Sequence, residues 1–162
     1  VKNVAGKRGT AMHNYLEYMV AGKNLLDLTE EGVEAQRMAE VVRDKGFTEL
    51  DEIWGSEVVI SYPGLYAGQT DLCGIYQGRE SIIDFKQSNK PKKEEWIEDY
   101  YYQMVAYAMA HDAVHGTQIE QGVILMCTPD LFFQKFVLNG SRFRQYKWLW
   151  LWRLSEFYKQ KM

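Results

Sequence analysis

The spacing of apolar and polar positions changes period several times along the chain, and each change marks an element. Thr10 is placed to cap a helix running to about residue 21, where Gly22 supplies a stop. Thr29, followed by Glu30 and Glu31, opens a second helix with Val33, Ala35, Met38, Ala39 and Val42 as its apolar positions, and Gly46 ends it. From Ile53 the pattern reads as strands: a first around Glu57, a Pro63-Gly64 break, a second over residues 66–76, a Gln77-Gly78 turn and a third over 81–86. Residues 88–93 form a loop around Pro91. Residues 94–114 predict a long helix with acids in its first turns, closed by Gly116. Strands over 119–127 and 131–138 flank Thr128-Pro129, and a final aromatic-rich helix runs from Ser141 to about Tyr158. In that helix Phe143, Tyr146, Trp150, Leu154 and Phe157 keep helical spacing and are assigned to the core. Trp148 and Trp152 fall elsewhere on the wheel; packing against a neighbouring element is expected for them, and stacking on unpaired bases is the alternative.

The resulting order, ααβββαββα, describes a mixed α/β fold in a single domain over residues 1–162, with a helical part over 1–50 and a sheet core with flanking helices over 51–162. At 162 residues, 46% of them hydrophobic and 25% charged, the chain can bury a real core and is not expected to be disordered. No apolar run reaches the roughly 18 residues of a membrane span, and the first ten residues lack the apolar stretch of a signal peptide. They also lack an initiator Met, as expected of a fragment. Cys73 and Cys127 are too few for a disulfide scaffold, a four-cysteine zinc site or an iron–sulfur cluster. The net charge of −3 hides its distribution: residues 27–57 carry ten acids and three bases, so the rest of the chain sums to +4. Lys2, Lys7 and Arg8, then Lys86, Lys90, Lys92 and Lys93, then seven bases over residues 135–161 against the single Glu156, form three basic groups. They are solvated surfaces or tracks for a phosphate backbone.

The register of the second and third strands carries the chemistry. A two-residue loop at Gln77-Gly78 pairs Tyr76 with Arg79, and the same register sets Asp71 opposite Asp84. Like charges about 5 Å apart across a sheet destabilise it. Alternation places Ile82, Asp84 and Lys86 on one face and Ile83 and Phe85 on the other. Two carboxylates and an ammonium thus converge on an otherwise apolar strand pair. A hard divalent cation with oxygen ligands would relieve the repulsion, and Lys86 is then placed to orient or deprotonate an attacking water or to neutralise charge on phosphorus. The alternative is that both acids end strands in solvent with Lys86 paired to one of them.

Five short motifs add to that pair in order: Gly9-Thr10-Ala11-Met12-His13, Glu57 on the first strand, Gly68-Gln69-Thr70-Asp71, Asp84-Phe85-Lys86 and Gln103-Met104-Val105-Ala106-Tyr107. Together they resemble the motif set of the PD-(D/E)XK nuclease superfamily, and within it the RecB-like exonuclease branch. The resemblance implies a restriction-endonuclease-like core with a central mixed sheet. It implies Mg²⁺ or Mn²⁺ held by His13, Asp71, Asp84 and the Phe85 carbonyl, with Glu57 assisting directly or through water and Lys86 as the catalytic lysine. Gln103 and Tyr107 would face the DNA or the active site, and Lys90, Lys92 and Lys93 would contact phosphates beyond the catalytic strand. Thr70 stands where the superfamily name has Pro. The cysteine set of iron–sulfur-bearing relatives is missing. The opening helices are candidates for an arch over the substrate.

The i,i+4 pair His111 and His115 lacks a following Glu and sits where cations suit a helix C-terminus, so a structural role is expected. A Walker-type loop is absent. The sequence therefore predicts a Mg²⁺-dependent exonuclease acting on single-stranded DNA from a free end, in the cytoplasm of a bacterial or phage-infected cell or in the mitochondrial matrix, with no membrane partner. A non-catalytic nucleic-acid-binding module of the same fold and a structure-specific endonuclease remain as alternatives. Polarity of digestion and oligomeric state stay open.

Overall fold

A computed structural model of the protein describes residues 2–62 and 66–161. The elements run in chain order as α1 (Lys2–Val20), α2 (Glu30–Gly46), β1 (Leu50–Tyr62), β2 (Tyr66–Tyr76), β3 (Arg79–Gln87), α3 (Glu98–His115), β4 (Gln121–Cys127), β5 (Phe133–Asn139) and α4 (Gly140–Lys161). The predicted order is therefore the observed one, and the five strands form one sheet in the order β1-β2-β3-β4-β5. The first three strands are antiparallel, β3 and β4 are parallel, and β5 returns antiparallel to β4. The parallel step is the one that needs a long crossover, and α3 supplies it.

Alternation along the strands feeds two cores. Leu72, Ile83, Phe85, Val123 and Leu125 face α1 and α2, where Met12, Leu16, Ala35, Met38 and Val42 pack against them. Cys73, Ile82, Ile124 and Met126 face α3 and α4, against Tyr101, Met104, Val105, Ala108 and Phe143. Sheet and helices thus form three layers, with β3 at the centre and buried from Ser81 to Phe85. No helix among the described residues is long and apolar enough to cross a membrane.

Several boundaries move from their sequence positions for local reasons. Thr29 does cap α2, its hydroxyl oxygen accepting the Gly32 N–H at 3.0 Å. Thr10 does not cap α1: the helix begins at Lys2 and carries Thr10 in its interior. A cap residue is a local preference, and the stretch before Thr10 holds no proline to stop the helix. The expected long helix from Glu94 starts instead as a 3₁₀ turn, Glu94–Trp96, with α3 beginning at Glu98. The Pro63-Gly64 break and the Lys2 side chain lie outside the described residues. On α4, Phe143 is buried, and Tyr146 and Trp150 pack on the second core, but Phe157 is 49% exposed. Trp148 and Trp152, expected against a neighbouring element, point to solvent instead. Both lie on the side of α4 away from Phe143, Tyr146 and Trp150, which pack on the second core.

β1 wraps closely over β2. Its register shifts between Leu50 and Glu52 and again between Ile53 and Gly55, and this irregularity lowers the Glu52 carbonyl onto Gly74. A Cβ at Gly74 would stand 2.0 Å from that oxygen, a backbone atom that cannot rotate away. Gly74→Ala is therefore expected to cost about 2 kcal/mol, as overpacking typically does. In a domain of this size that lowers Tm by roughly 4–8 °C in a thermal melt, with the folded circular dichroism spectrum retained.

Candidate active site

The β2–β3 hairpin turns at Gln77 and Gly78, both with positive φ (52° and 73°), as a two-residue loop of right-handed twist requires. Tyr76 pairs with Arg79 and the ladder continues to Leu72 and Ile83, the register expected from the sequence. One step further Asp71 and Asp84 would stand face to face, but there the ladder ends. The two acids hold the parting strands by side chain–backbone bonds instead. The Phe85 N–H donates to Asp71 Oδ2 at 2.8 Å, and the Asp71 N–H donates to Asp84 Oδ1 at 3.4 Å. The Thr70 hydroxyl also donates to Asp84 Oδ1, at 3.2 Å. Asp84 is 3% exposed. Burial pushes its carboxyl up from 3.8 to about 6, with the Asp71 charge adding to the rise, while Lys86 and the two hydrogen bonds pull it down.

α1 brings His13 to the same place from the opposite layer. Its Nδ1 lies 2.9 Å from the Gly9 carbonyl, so that nitrogen carries the proton, and Nε2 lies 3.3 Å from Asp71 Oδ2. Burial disfavours the imidazolium, but the hydrogen bond and charge of Asp71, with the Gly9 carbonyl, outweigh it and raise the pKa from 6.5 to about 9. Glu57 sits on β1 between the pairs Ser56–Leu72 and Val58–Thr70, hence across from Asp71. It adopts a positive φ of 52° and its carboxylate accepts from the Gln69 amide. Burial and then the charges of Asp71 and Glu17 push its carboxyl up. Glu57, Asp71 and His13 line a surface cavity of about 440 Å³ with Gly9, Thr10, Asn14 and Gln69. Lys86 extends the other way, its Nζ 4.6 Å from the centre of the Tyr100 ring rather than paired to either acid.

Among the described residues no three His, Cys, Asp or Glu side chains are arranged to hold a cation. The donors nevertheless suit a divalent ion. The Gly9 carbonyl fixes Nδ1 and aims Nε2, as the outer partner of a ligating histidine does. Adjacent ligands of an ion with bonds of about 2.1 Å stand roughly 3 Å apart, and the separation of His13 Nε2 from Asp71 Oδ2 is 3.3 Å. The third donor, Asp84, is turned into its bonds with Thr70 and the Asp71 N–H. Completing a set of three requires that carboxylate to reorient.

Tyr107 lies against Gly68, where a Cβ would come within 2.1 Å of its ring, and its hydroxyl interacts with the Gln69 backbone. It thereby supports the strand that carries Asp71. Burial raises its phenol pKa, as do the Asp84 and Asp71 charges. Gln103, one turn earlier, is exposed on α3. Of the Tyr100–Tyr102 run, Tyr101 and Tyr102 are buried and only Tyr100 is half-exposed, beneath Lys86. Lys90 and Lys92 line a second cavity of about 460 Å³ with Ala5, Gln87, Ser88, Asn89 and Tyr100. It adjoins the first, since Gly9 of one cavity lies against Gln87 of the other. Lys93 lies 5.4 Å from the Trp96 ring. Arg8 is engaged elsewhere, bridging Glu34 at 2.9 Å and Asn89 at 3.2 Å. His111 and His115 lie away from this site, His111 bonded to Thr117 Oγ1 at 2.7 Å. No sequence motif includes Asn14 or Glu17, and Gln69 stands in the Gly68-Gln69-Thr70-Asp71 motif without a role of its own. Their signal was position: Glu17 follows His13 by one helical turn, and Gln69 precedes Asp71 by two.

Asp84 and His13 both titrate above their unfolded values, and each makes the fold less stable as pH rises. Asp84 contributes stability that is complete below 3.8 and lost through about 6. His13 contributes stability that is complete below 6.5 and lost through about 9. In chelator-containing buffer Tm is therefore expected to fall between pH 6.5 and 9, and that fall should vanish in His13→Gln. Equal slopes in parent and variant would refute the His13–Asp71 coupling.

Over 161 residues the chain is 27% identical to mitochondrial genome maintenance exonuclease 1 of Homo sapiens, covering 95% of this chain and 46% of that protein. Over 117 residues it is 31% identical to the protein of the same name from Mus musculus, covering 68% of this chain and 34% of that one. The chain thus spans less than half the length of the curated relatives it matches. No family model matches it. In fold it superposes on the crystal structure of a protein described as an exonuclease from Eubacterium rectale, with a TM-score of 0.62 at 12% identity, covering 94% of this chain and 65% of that one. The likeness carried by the short motifs is met by sequence and by fold alike: the chain is a relative of the mitochondrial genome maintenance exonucleases, built on a mixed α/β fold seen in exonucleases.

Proposed function

We propose that the chain is a divalent-cation-dependent deoxyribonuclease that hydrolyses phosphodiester bonds of single-stranded DNA from a free end. The observation that carries this reading is the meeting of Asp71, Asp84 and His13 where β2 and β3 part, with Lys86 two residues beyond Asp84 on the same strand. The names of the relatives supply the reaction class. An intracellular setting, bacterial, phage-associated or mitochondrial, goes with it.

Asp71, Asp84 and His13 would hold Mg²⁺ or Mn²⁺, with the Phe85 carbonyl as a further oxygen donor. When bound, the cation supplies Lewis acidity at the phosphoryl group and makes water acidic enough to attack near neutral pH. The chain's own groups do the rest. Lys86, on the side of β3 that faces α3, neutralises charge building on the non-bridging oxygens as water attacks in line. Glu57, across from Asp71, orients that water through its carboxylate. Tyr107 fixes β2 from below, and Gln103 lies one turn along α3 toward the DNA. Lys90 and Lys92, in the cavity next to the first, receive the phosphates that follow the scissile one, with Lys93 beside them in the same loop.

An end-labelled single strand incubated with and without Mg²⁺ tests the reading. Digestion should require the cation. Lys86→Ala and Asp84→Asn should each slow it at least about 100-fold, the scale of losing one transition-state electrostatic partner. A rate equal to the parent's in either variant would refute the site assignment. Closed circular single strands should resist digestion; cutting them would make the chain an endonuclease, and cation-dependent binding without product would make it a non-catalytic module. Oligonucleotides blocked at either the 5′ or the 3′ end then read the polarity.

A further inference from the structure

Away from Asp71 and Asp84, the last turn of α3 sets His111 and His115 on one face of that helix. Gly116 then takes a positive φ of 69°, its N–H donating to the Asp112 carbonyl at 2.9 Å, and turns the chain back so that Thr117 reaches His111. The two imidazoles line a cavity of about 440 Å³ together with Thr117 and, from β1, Trp54. Trp54 stacks on His111 at 6.0 Å, with 17° between the ring planes.

Hydrogen bonding fixes the tautomer of His111. Asp112 Oδ1 accepts the Ile119 N–H at 2.9 Å and the Thr117 hydroxyl at 2.8 Å. With its hydrogen spent there, Thr117 Oγ1 can only accept from His111, which donates Nδ1–H to it at 2.7 Å and keeps the lone pair on Nε2. A carboxylate acting through a hydroxyl on the far ring nitrogen is the kind of outer support that a ligating histidine has. The two rings lie 4.6 Å apart, centre to centre. Two imidazoles on one ion, with bonds of about 2.1 Å at about 90–110° to each other, have their centres about 4.5–5 Å apart. Favourable charge at a helix C-terminus explains one imidazolium here but not two, because at this separation like charges repel.

We infer that His111 and His115 form a second metal site, which takes a late first-row divalent ion of the Zn²⁺ type with water in the remaining positions. Imidazole nitrogen favours such ions, whereas Mg²⁺ takes oxygen, so this site differs in chemistry from that of Asp71, Asp84 and His13. Cys73 also lines the cavity, but its thiol is not placed with the two rings as a third ligand. The role is structural. The ion pins the last turn of α3, and the stacked Trp54 carries that restraint to β1, beside the register shift between Ile53 and Gly55.

The test is calorimetric titration with ZnCl₂, under excess Mg²⁺, of the full chain carrying His13→Gln, which removes the imidazole of the first site. One Zn²⁺ is expected to bind, and adding His115→Gln should weaken it at least about tenfold. Thr117→Val, which takes the hydroxyl from behind His111, should also weaken it by about tenfold. His115 is exposed, so its replacement should leave the metal-free Tm unchanged. Zn²⁺ should raise the Tm of the His13→Gln chain and leave that of His13→Gln/His115→Gln where it was. Equal Zn²⁺ affinity with and without His115 would overturn the inference. So would displacement of the ion by Mg²⁺, which would assign it to oxygen ligands, or a Zn²⁺-induced rise in Tm that persists without His115.

Discussion

The arrangement depends first on a turn of two residues. Gln77 and Gly78 both take left-handed backbone angles, and Glu49 with the start of β1 holds them there. The Gln77 N–H donates to the Glu49 carbonyl at 2.8 Å, its side chain meets the Glu49 carboxylate, and the Gly78 N–H donates to Asp51 Oδ2 at 2.8 Å. With the turn fixed, the pairing of β2 with β3 has one register, and a one-residue slip would carry Asp84 to the other face of the sheet. The parallel pairing of β3 with β4 and the docking of α3 then follow from which β3 residues face which layer.

Two carboxylates brought together in this way repel one another, and main-chain groups answer that repulsion. Asp71 and Asp84 each accept an N–H from the other's strand, so the charge repulsion that ends the ladder is partly offset by the bonds that replace it. The imidazolium of His13 balances Asp71 from the α1 side. The acids therefore shape the hairpin end, with backbone N–H groups, the Thr70 hydroxyl and an imidazole as their partners.

What could be read in advance was whatever depends on counting. The hairpin register, the Thr29 cap, the Gly116 stop and the order of elements all follow from residue spacing, and all are present. What could not be read depends on depth and on direction. Thr10 has a capping side chain but lies inside a helix, because a cap preference of about 1 kcal/mol does not decide where a packed helix begins. The exposure of Trp148 and Trp152 turns on how far neighbouring elements reach, which no local pattern records. The parting of β2 from β3 beyond Leu72 and Ile83 was likewise invisible, since alternation continues through it. The roles of the site residues remain a proposal resting on the motifs.

The site draws on two different rules of position at once. His13 is placed by angle, on a helix where one inserted residue turns everything beyond it through about 100°. Asp84 is placed by face, on a strand where one inserted residue inverts inside and outside. Gly9 and His13 must keep their interval for the Gly9 carbonyl to meet Nδ1, and Asp71 and Asp84 must keep theirs for each carboxylate to meet the other's strand. Side chains around these intervals can change freely so long as the intervals hold. In drifting sequences, descent of this site should therefore be recorded less by which residues persist than by where insertions and deletions never occur.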